Sequence, residues 1–313
     1  MDDIKSNFLK LVNPQKTQII GKLPFIWVFG SGGEDVKKIE TIANPLNPGH
    51  QDFEAYKNIN SYRAKFIQWS RNNQHSLSEL LTGPEMYPEW LNFNKYSNLV
   101  DFELDITSIS KGTIVFSESV GAYTEIGMFS CFSELHKNIL IVVPSEYIAD
   151  SNSSFFNYGA ILKIKENRIS EDLTNIFALD SISESNKDKL DSLFKNIADH
   201  FSNIINNKDN SSLSFNHSNK HHVILLFLDL IDLFPSKPKS FYKNILEEFG
   251  VDINKINLDK MITTLELLDL ISKRLSGNNT YYDIKVRNYS SCIKYIADRP
   301  NRFERSDFKL NMR

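Results

Sequence analysis

The sequence has little cysteine and no long apolar run. Only two cysteines, Cys131 and Cys292, occur among the 313 residues, which disfavours a disulfide framework and fits reduced thiols in the cytoplasm. No apolar run reaches the roughly 18 residues that a membrane-spanning helix needs. The first thirty residues also lack the basic start, long apolar run and cleavage site of a secretory signal. We therefore expect a cytoplasmic protein that does not associate with a membrane.

Several catalytic motifs are missing as well. The seven histidines are not accompanied by CxxC or HExxH spacing, so we expect no metal site. The glycine-rich stretch Gly30–Gly33 is neither GxGxxG nor a Walker loop, which leaves dinucleotide oxidoreduction and phosphoryl transfer unsupported. A Ser-His-Asp triad has no GxSxG elbow in its favour.

The composition is that of an ordinary globular protein, with 41% hydrophobic and 24% charged residues. A chain of this length accommodates two domains. The net charge of −3 argues against nonspecific coating of nucleic acid, but the charge is unevenly distributed. Residues 219–313 contain sixteen Lys and Arg against twelve Asp and Glu, and the preceding residues are acidic. The basic excess is thus modest and confined to the C-terminal part.

The N-terminal half alternates apolar runs with stretches of helical periodicity. Three continuous apolar runs predict buried strands: Leu23–Phe29, Thr113–Phe116 and Asn138–Val143. Between the first two runs, Tyr62, Phe66 and Trp69 recur at helical spacing. This alternation is typical of a parallel sheet with helices on its faces. We predict an α/β domain over residues 1–180, then a helix and polar linker over residues 181–218.

The C-terminal part shows a different order of elements. Apolar periodicity predicts helices at Val223–Phe234, Phe241–Phe249 and about Leu258–Leu268. Two strand-like arms then flank Gly277-Asn278-Asn279, which is a strong hairpin turn signal. Three helices followed by a hairpin predict a winged-helix domain over residues 219–313.

The stretch SESVGAYTEIGMFS, Ser117–Ser130, directly follows a predicted strand. Ligands of open α/β sheets bind at the carboxyl ends of the strands, so this loop and the helical turn after it should face a cleft. Glu125 lies there, and a carboxylate at a helix N-terminus is favoured in the ionised form that a nucleophile needs. From the residues alone, a glutamate early in a helix is more often a capping-box or dipole-complementing residue than a catalytic one.

That stretch, together with WVFGSGG and FFNYGAI, resembles the nucleoside deoxyribosyltransferase-like superfamily, and within it the effector proteins encoded beside bacterial retron reverse transcriptases. The resemblance covers roughly Leu23 to Ile164, and its most specific part is the Gly-x-x-x-Glu-(Ile/Leu)-Gly core at Gly121–Gly127. It implies a parallel-sheet catalytic domain in which Glu125 attacks the anomeric carbon of a nucleoside-like substrate.

The resemblance also suggests residues that bind the substrate. Glu118 and Ser119 occupy the region where these enzymes keep an acid for the sugar hydroxyls. The transferases typically have aspartate six positions before the glutamate, where this chain has Ser119, so a ribose as in NAD is as plausible as a deoxyribose. The remaining candidates are Gly30, Ser31, Gly32, Gly33, Glu85, Tyr123 and Asn157. Their alternative interpretations are a topological glycine turn, a solvated loop acid and an ordinary core tyrosine.

Basic residues of the predicted winged helix suggest binding of nucleic acid or of a protein partner. They are Lys260, Lys273, Arg274, Lys285 and Arg287. The third helix also carries Asp259 and Glu266, which weakens the hypothesis that this helix reads DNA sequence.

Taken with the resemblance, these features lead us to expect a retron effector toxin that cleaves an N-glycosidic bond of NAD or a related nucleotide. The resemblance implies control by a reverse transcriptase and its multicopy single-stranded DNA/RNA in anti-phage defence, with no cofactor, and it leaves a homo-oligomer or higher assembly open. Two alternatives stay open: a nucleoside 2-deoxyribosyltransferase, and a non-catalytic regulator that joins a ligand-sensing domain to a DNA-binding winged helix.

Overall fold

A computed structural model describes residues 2–42, 59–87, 96–167, 174–179, 187–206, 212–286, 289–298 and 302–311. The helices are α1 (Asp2–Leu11), α2 (Gly33–Ile42), α3 (Tyr62–Asn72), α4 (Leu99–Ile109), α5 (Val120–Phe129), α6 (Ser133–His136), α7 (Ser145–Ile148), α8 (Leu162–Glu166), α9 (Lys187–Asn206), α10 (Lys220–Leu233), α11 (Lys239–Glu248), α12 (Leu258–Leu267) and α13 (Arg305–Leu310). The strands are β1 (Gln18–Ile19), β2 (Leu23–Phe29), β3 (Leu81–Thr82), β4 (Ser110–Phe116), β5 (Ile139–Pro144), β6 (Ile176–Leu179), β7 (Leu213–Ser214), β8 (Lys237–Pro238), β9 (Ile271–Ser276), β10 (Asn279–Ile284) and β11 (Ile293–Lys294).

The chain divides into two compact units, each built from more than one segment. The sheet unit comprises Pro24–Pro88 and Ser110–Asp209. The terminal unit comprises Met1–Leu23, Glu89–Ile109 and Asn210–Arg313. These units differ from the contiguous segments predicted above, because two N-terminal stretches group with the C-terminal part.

The sheet unit contains a five-stranded sheet in the order β3-β2-β4-β5-β6. The registers of β2 with β3, of β4 with β5 and of β5 with β6 are parallel. Residues Ile139–Val143 of β5 are all buried, as expected of a strand covered on both faces. The prediction of an α/β fold with a parallel sheet is confirmed, and the three predicted strands are β2, β4 and β5.

Helix α9 belongs to the core of the sheet unit. Phe194 and Phe201 of this helix are fully buried in the same hydrophobic cluster as Phe66 and Trp69 of α3. A Cβ on Gly112 would lie 2.6 Å from the Phe201 ring, so only glycine allows α9 to approach β4 this closely. The predicted helix is confirmed, but it packs on the sheet instead of forming part of a linker. Residues 181–186 and 207–211 of that predicted segment lie outside the described residues.

In the terminal unit, α10, α11 and α12 precede the hairpin of β9 and β10. Every residue of α10 from Val223 to Leu233 is buried, so this helix forms the centre of the core. Ser276 pairs with Asn279 across the turn, and Gly277 has a φ of +59°, which glycine tolerates best. β8 joins this hairpin in the sheet order β8-β10-β9. The predicted three helices and hairpin are therefore present.

Helix α4 joins the terminal unit through a buried polar network. The Tyr96 hydroxyl donates to the Asp105 carboxylate over 2.9 Å and lies 2.6 Å from the Thr264 hydroxyl. Lys220 and His221 of α10 pair with the same carboxylate. Lys220 and His221 of α10 therefore bind a carboxylate that the sequence places in the N-terminal half, and Thr264 of α12 binds the Tyr96 hydroxyl. These contacts join α4 to the terminal unit.

A second buried carboxylate anchors the C-terminal residues. Asp229 of α10 is fully buried and accepts hydrogen bonds from Tyr295 over 2.7 Å and from Arg305 over 2.8 Å. The neighbouring Asp232 binds Arg305 and Lys309. Because a buried carboxylate needs such partners, α13 is held firmly against α10. Within the described ranges, no helix is both long and apolar enough to cross a bilayer.

We expect a chain ending at Ser218 to aggregate or to remain unfolded. It would lose α10 to α13 and β8 to β11, and Phe102, Ile106 and Ile109 of α4, each fully buried, would lose packing partners in their own unit. Exposing such a side chain costs about 1.5–3 kcal/mol. Solubility, gel filtration and circular dichroism should show this beside the full chain, and a soluble monomer with a cooperative melt would contradict it.

Candidate active site

A cleft of about 690 Å³ opens in the sheet unit at the carboxyl ends of β2, β4 and β5. Five of the predicted site residues line it: Ser31, Gly32, Glu118, Ser119 and Tyr123. Gly30, Gly33, Glu85, Glu125 and Asn157 are not among the lining residues. The cleft lies where ligands bind in open α/β sheets, and the predicted binding of substrate there stays a prediction.

The glycine-rich loop after β2 is required by backbone geometry and by packing. Gly30 and Gly32 have φ values of +147° and +77°. A Cβ on Gly30 would lie 3.0 Å from the Arg63 side chain, and a Cβ on Gly32 would lie 2.6 Å from Ser61. The topological interpretation therefore holds for both glycines, and Gly32 lines the cleft in addition.

Glu118 and Ser119 both cap helices. The Glu118 carboxylate accepts hydrogen bonds from the Ser61 hydroxyl over 2.7 Å and from the backbone N–H groups of Tyr62 and Arg63 over 2.8 and 2.9 Å. It thereby satisfies the free N-terminal donors of α3. The Ser119 hydroxyl accepts from the Ala122 N–H at the start of α5. Both residues reach the cleft, but Glu118 already has three donors within the protein.

Arg63 is the site residue that the sequence analysis missed. Its side chain is only 3% exposed, and Nη2 donates to both carboxylate oxygens of Glu85 over 2.6 and 2.8 Å. Nη1 donates to the carbonyl oxygen of Gly30 over 3.3 Å. One sequence feature could have identified Arg63 as a buried residue: it lies three residues before Phe66, on the helix face predicted to be buried.

Glu85 therefore pairs with a protein side chain instead of lining the cleft. It lies on the short 3₁₀ turn Pro84–Met86 after β3, and its side chain is 11% exposed. The interpretation as a solvated loop acid is wrong, because the Arg63 guanidinium and burial remove it from bulk water. The predicted contact between Glu85 and substrate stays a prediction.

Glu125 lies in the second turn of α5, not at the helix N-terminus. Because α5 begins at Val120 with Ser119 as its cap, the helix dipole has little effect on the Glu125 carboxyl. Burial raises the pKa of Glu125 to about 7, the Arg63 charge opposes that rise, and the Glu85 charge adds to it. The expected preference for the ionised form is thus corrected. Among the described residues, Oε2 of Glu125 is buried and has no hydrogen-bond partner.

Tyr123 and Asn157 have different environments. Tyr123 lines the cleft and contacts Phe156 and Tyr147 edge-to-face, with ring centroids 5.0 and 6.0 Å apart. Burial is the main reason why its pKa is raised. The Asn157 amide donates to the carbonyl oxygens of Ala149 and Asn152 over 3.2 and 2.9 Å. Asn157 therefore stabilises the chain beside the cleft, and its predicted contact with substrate stays a prediction.

The predicted partner-binding residues of the terminal unit fall into two groups. The Lys260 amine lies 4.3 Å from the Tyr96 ring centroid and 3.3 Å from the Asp101 carboxylate. Both partners belong to the same unit as Lys260. Lys285 pairs with Asp269. On the exposed hairpin, Lys273 lies 3.0 Å from Glu266, and Arg274 packs over Tyr281. Arg287 lies outside the described residues.

No group of three or more His, Cys, Asp or Glu side chains suited to a metal ion occurs within the described part of the chain. The functional groups of the described site residues are carboxylates, one buried guanidinium, hydroxyls and aromatic rings.

Comparison with known proteins identifies relatives of the chain. The model of the STM3845 retron effector protein family matches residues 59–273, more than two thirds of the sequence. An Escherichia coli protein named "Retron Ec73 putative ribosyltransferase/DNA-binding protein" is 26% identical over 228 residues. That alignment covers 66% of this chain and 70% of the relative.

We expect Glu125→Gln to stabilise the protein in a pH-dependent way. The folded-state pKa of about 7 exceeds the ordinary value of 4.5, so the folded protein binds this proton more tightly than the unfolded chain does. The free energy of unfolding therefore falls as the pH rises from the ordinary pKa of this carboxyl to its folded-state pKa. The variant should gain on the order of 2 kcal/mol near pH 8 and almost nothing near pH 4.

Urea unfolding at both pH values measures the effect. Glu79→Gln is the control, because it makes the same substitution at an exposed glutamate. An equal gain for Glu125→Gln at both pH values would contradict the assignment of the raised pKa to this carboxyl.

Proposed function

Because the chain belongs to the STM3845 retron effector protein family, we propose that it is an effector toxin that breaks the N-glycosidic bond of NAD or a related nucleotide, with Glu125 as the nucleophile. One observation carries this proposal: the half-buried Glu125, whose buried Oε2 has no hydrogen-bond partner among the described residues, follows the loop at the carboxyl end of β4. Perturbed carboxyls beside a cleft are typical of catalytic groups. The relative's name, which includes ribosyltransferase, supports glycosyl chemistry.

In the proposed reaction, a Glu125 carboxylate oxygen attacks C1′ of the ribose. The bond between C1′ and the base nitrogen breaks, and the base leaves with the bonding electron pair. With nicotinamide as the base, the cation becomes a neutral molecule, and no general acid is needed. Water then attacks C1′, the ester bond to Glu125 breaks, and one proton is released. Reaction requires the substrate and the Glu125 carboxylate to come together, since this side chain does not line the cleft.

The charge of the cleft supports a positively charged base. Asp35, Glu118 and Glu146 line it, whereas none of its described lining residues is Lys, Arg or His. Such a lining favours the cationic ring of the substrate, and it disfavours placing the diphosphate group of NAD inside the cleft. A cation bound beside Glu125 would also favour the ionised carboxylate.

We also propose that the terminal unit binds the complex of the reverse transcriptase with its multicopy single-stranded DNA or RNA. Helices α10, α11 and α12 and the sheet β8-β10-β9 have the element order of a winged helix, and Lys273 and Arg274 are exposed on the hairpin. Contacts between such residues and phosphates would bind the multicopy single-stranded DNA or RNA associated with the reverse transcriptase. The DNA-binding part of the relative's name favours this role, and it also favours the regulator alternative.

The transferase alternative differs in the acceptor of the glycosyl group. The word ribosyltransferase in the relative's name is compatible with transfer to a second base instead of water. Incubating the protein with NAD, nucleosides and deoxynucleosides, with and without a free base, separates these possibilities by chromatography. Release of base from deoxynucleosides alone would restore the deoxyribosyltransferase interpretation.

We expect Glu125→Gln to reduce base release at least about a thousandfold, because the amide keeps the size but cannot act as an anionic nucleophile. Wild-type base release should increase with pH through about 7, where the carboxyl ionises. Glu134→Gln is the matched control, since Glu134 is exposed on the neighbouring α6. Equal rates for the wild type and Glu125→Gln on every substrate cleaved would rule out the nucleophile assignment.

The double variant Lys273→Gln, Arg274→Gln should bind the reverse transcriptase and DNA complex on the order of tenfold more weakly than the wild type. It should also reduce the dependence of binding on salt, because fewer phosphates are neutralised. Lys255→Gln is the control, as Lys255 is 83% exposed and lies outside the hairpin. Unchanged affinity and salt dependence in a quantitative binding assay would place the docking surface elsewhere.

A further inference from the structure

Two nearly perpendicular aromatic rings line the cleft of the sheet unit. They belong to Tyr123 of α5 and Tyr147 of α7. Their ring centroids lie 6.0 Å apart, and the ring planes make an angle of 75°. Tyr147 is 40% exposed, so a ligand in the cleft can reach its ring. Two rings at this angle can contact a planar group from two directions.

Phe156 holds the Tyr123 ring in place. The centroids of these two rings lie 5.0 Å apart, and the planes make an angle of 80°. Phe156 belongs to the π-helical turn Phe156–Ile161 and does not line the cleft. The Tyr123 ring is therefore positioned by contacts within the protein before a ligand binds. A side chain ordered in advance loses little conformational entropy on binding.

Glu146 places a negative charge beside these rings. It precedes Tyr147 in α7, lines the cleft and is exposed. The Glu118 carboxylate, which also lines the cleft, already accepts three hydrogen bonds from α3 and its cap. Within the described ranges, the Glu146 carboxylate has no ion-pair or hydrogen-bond partner, and only the backbone carbonyl of this residue accepts a hydrogen bond. Its charge is therefore available to a ligand.

Tyr62, a third tyrosine of the cleft, has a different neighbour. The Lys65 amine lies 5.7 Å from the centroid of the Tyr62 ring, so a cation of the protein already interacts with this ring. The described lining of the cleft contains no Lys, Arg or His. The faces that Tyr123 and Tyr147 turn to the cleft are therefore left to a cation from outside the protein.

We propose that Tyr147, together with Tyr123 and Glu146, forms a subsite that selects a planar organic cation, and that Tyr147 and Glu146 determine specificity for a positively charged base. Faces of aromatic rings attract cations electrostatically, and a nearby carboxylate adds a Coulomb attraction. A neutral ring can stack there but gains neither attraction. The inference rests on the proposed function for the identity of the cation as the nicotinamide ring, although its measurement needs no turnover.

The test is isothermal titration calorimetry of the full-length protein with two small probes. The first, 1-methylnicotinamide, has the positively charged ring but no glycosidic bond, so the protein cannot cleave it. The second, nicotinamide, is the neutral ring of nearly the same size. We expect the wild type to bind 1-methylnicotinamide at least about tenfold more tightly than nicotinamide.

Variants of the subsite should change this preference. Tyr147→Leu keeps an apolar side chain but removes the ring, so it should bind 1-methylnicotinamide about tenfold more weakly and change nicotinamide binding much less. Tyr147→Phe keeps the ring and should retain the wild-type preference. Glu146→Gln should weaken binding of the cation about threefold and reduce its salt dependence. Tyr158→Leu and Glu134→Gln are the matched controls, since Tyr158 and Glu134 are exposed and do not line the cleft.

No measurable binding of 1-methylnicotinamide, equal affinities of the wild type for both probes, or equal losses for both probes in Tyr147→Leu would overturn the inference. If the protein nevertheless releases base from NAD, the proposed function stands without this subsite. Selective binding of the cation that is lost in Tyr147→Leu, in a protein that releases no base from any nucleotide, would confirm the subsite and overturn the proposed function instead.

Discussion

The burial of Arg63 is the constraint on which the candidate site depends. A guanidinium withdrawn from water must be given acceptors, and loops after three strands contribute to holding it. Gly30 after β2 and Glu85 after β3 bind its side chain, and Glu118 after β4 binds its backbone. These loops lie at the carboxyl edge of the sheet, so the contacts that satisfy Arg63 also fix the walls of the cleft.

Glu125 illustrates a conflict between stability and the proposed chemistry. Oε2 of its carboxyl is buried and lacks a hydrogen-bond partner among the described residues, which makes the ionised form costly. A nucleophile needs that same ionised form, and a fully solvated carboxylate would be a weaker one. Burial is the main cause of the raised pKa of this carboxyl, and the charges of Arg63 and Glu85 act on it with opposite signs.

The division into units suggests how two tasks are separated in one chain. The cleft and all its lining residues belong to the sheet unit, while the basic hairpin belongs to the terminal unit. The terminal unit is closed by long-range contacts, notably the Asp105 network on α4 and the Asp229 network on α10. The terminal unit therefore requires segments from the beginning, middle and end of the sequence. No single truncation of the chain separates it from the sheet unit.

Sequence patterns alone determined the elements whose signals are local. Continuous apolar runs identified β2, β4 and β5, helical periodicity identified the helices of the C-terminal part, and Gly277-Asn278 identified the hairpin turn. The position of Glu125 after β4 was likewise readable from its motif. Only the tertiary structure decided that α4 joins the terminal unit, that Glu118 and Glu85 hold Arg63, and that burial keeps Glu125 from being simply ionised. The partners of Arg63 are 22 to 55 residues away in sequence, and periodicity and spacing carry no information about contacts at that range.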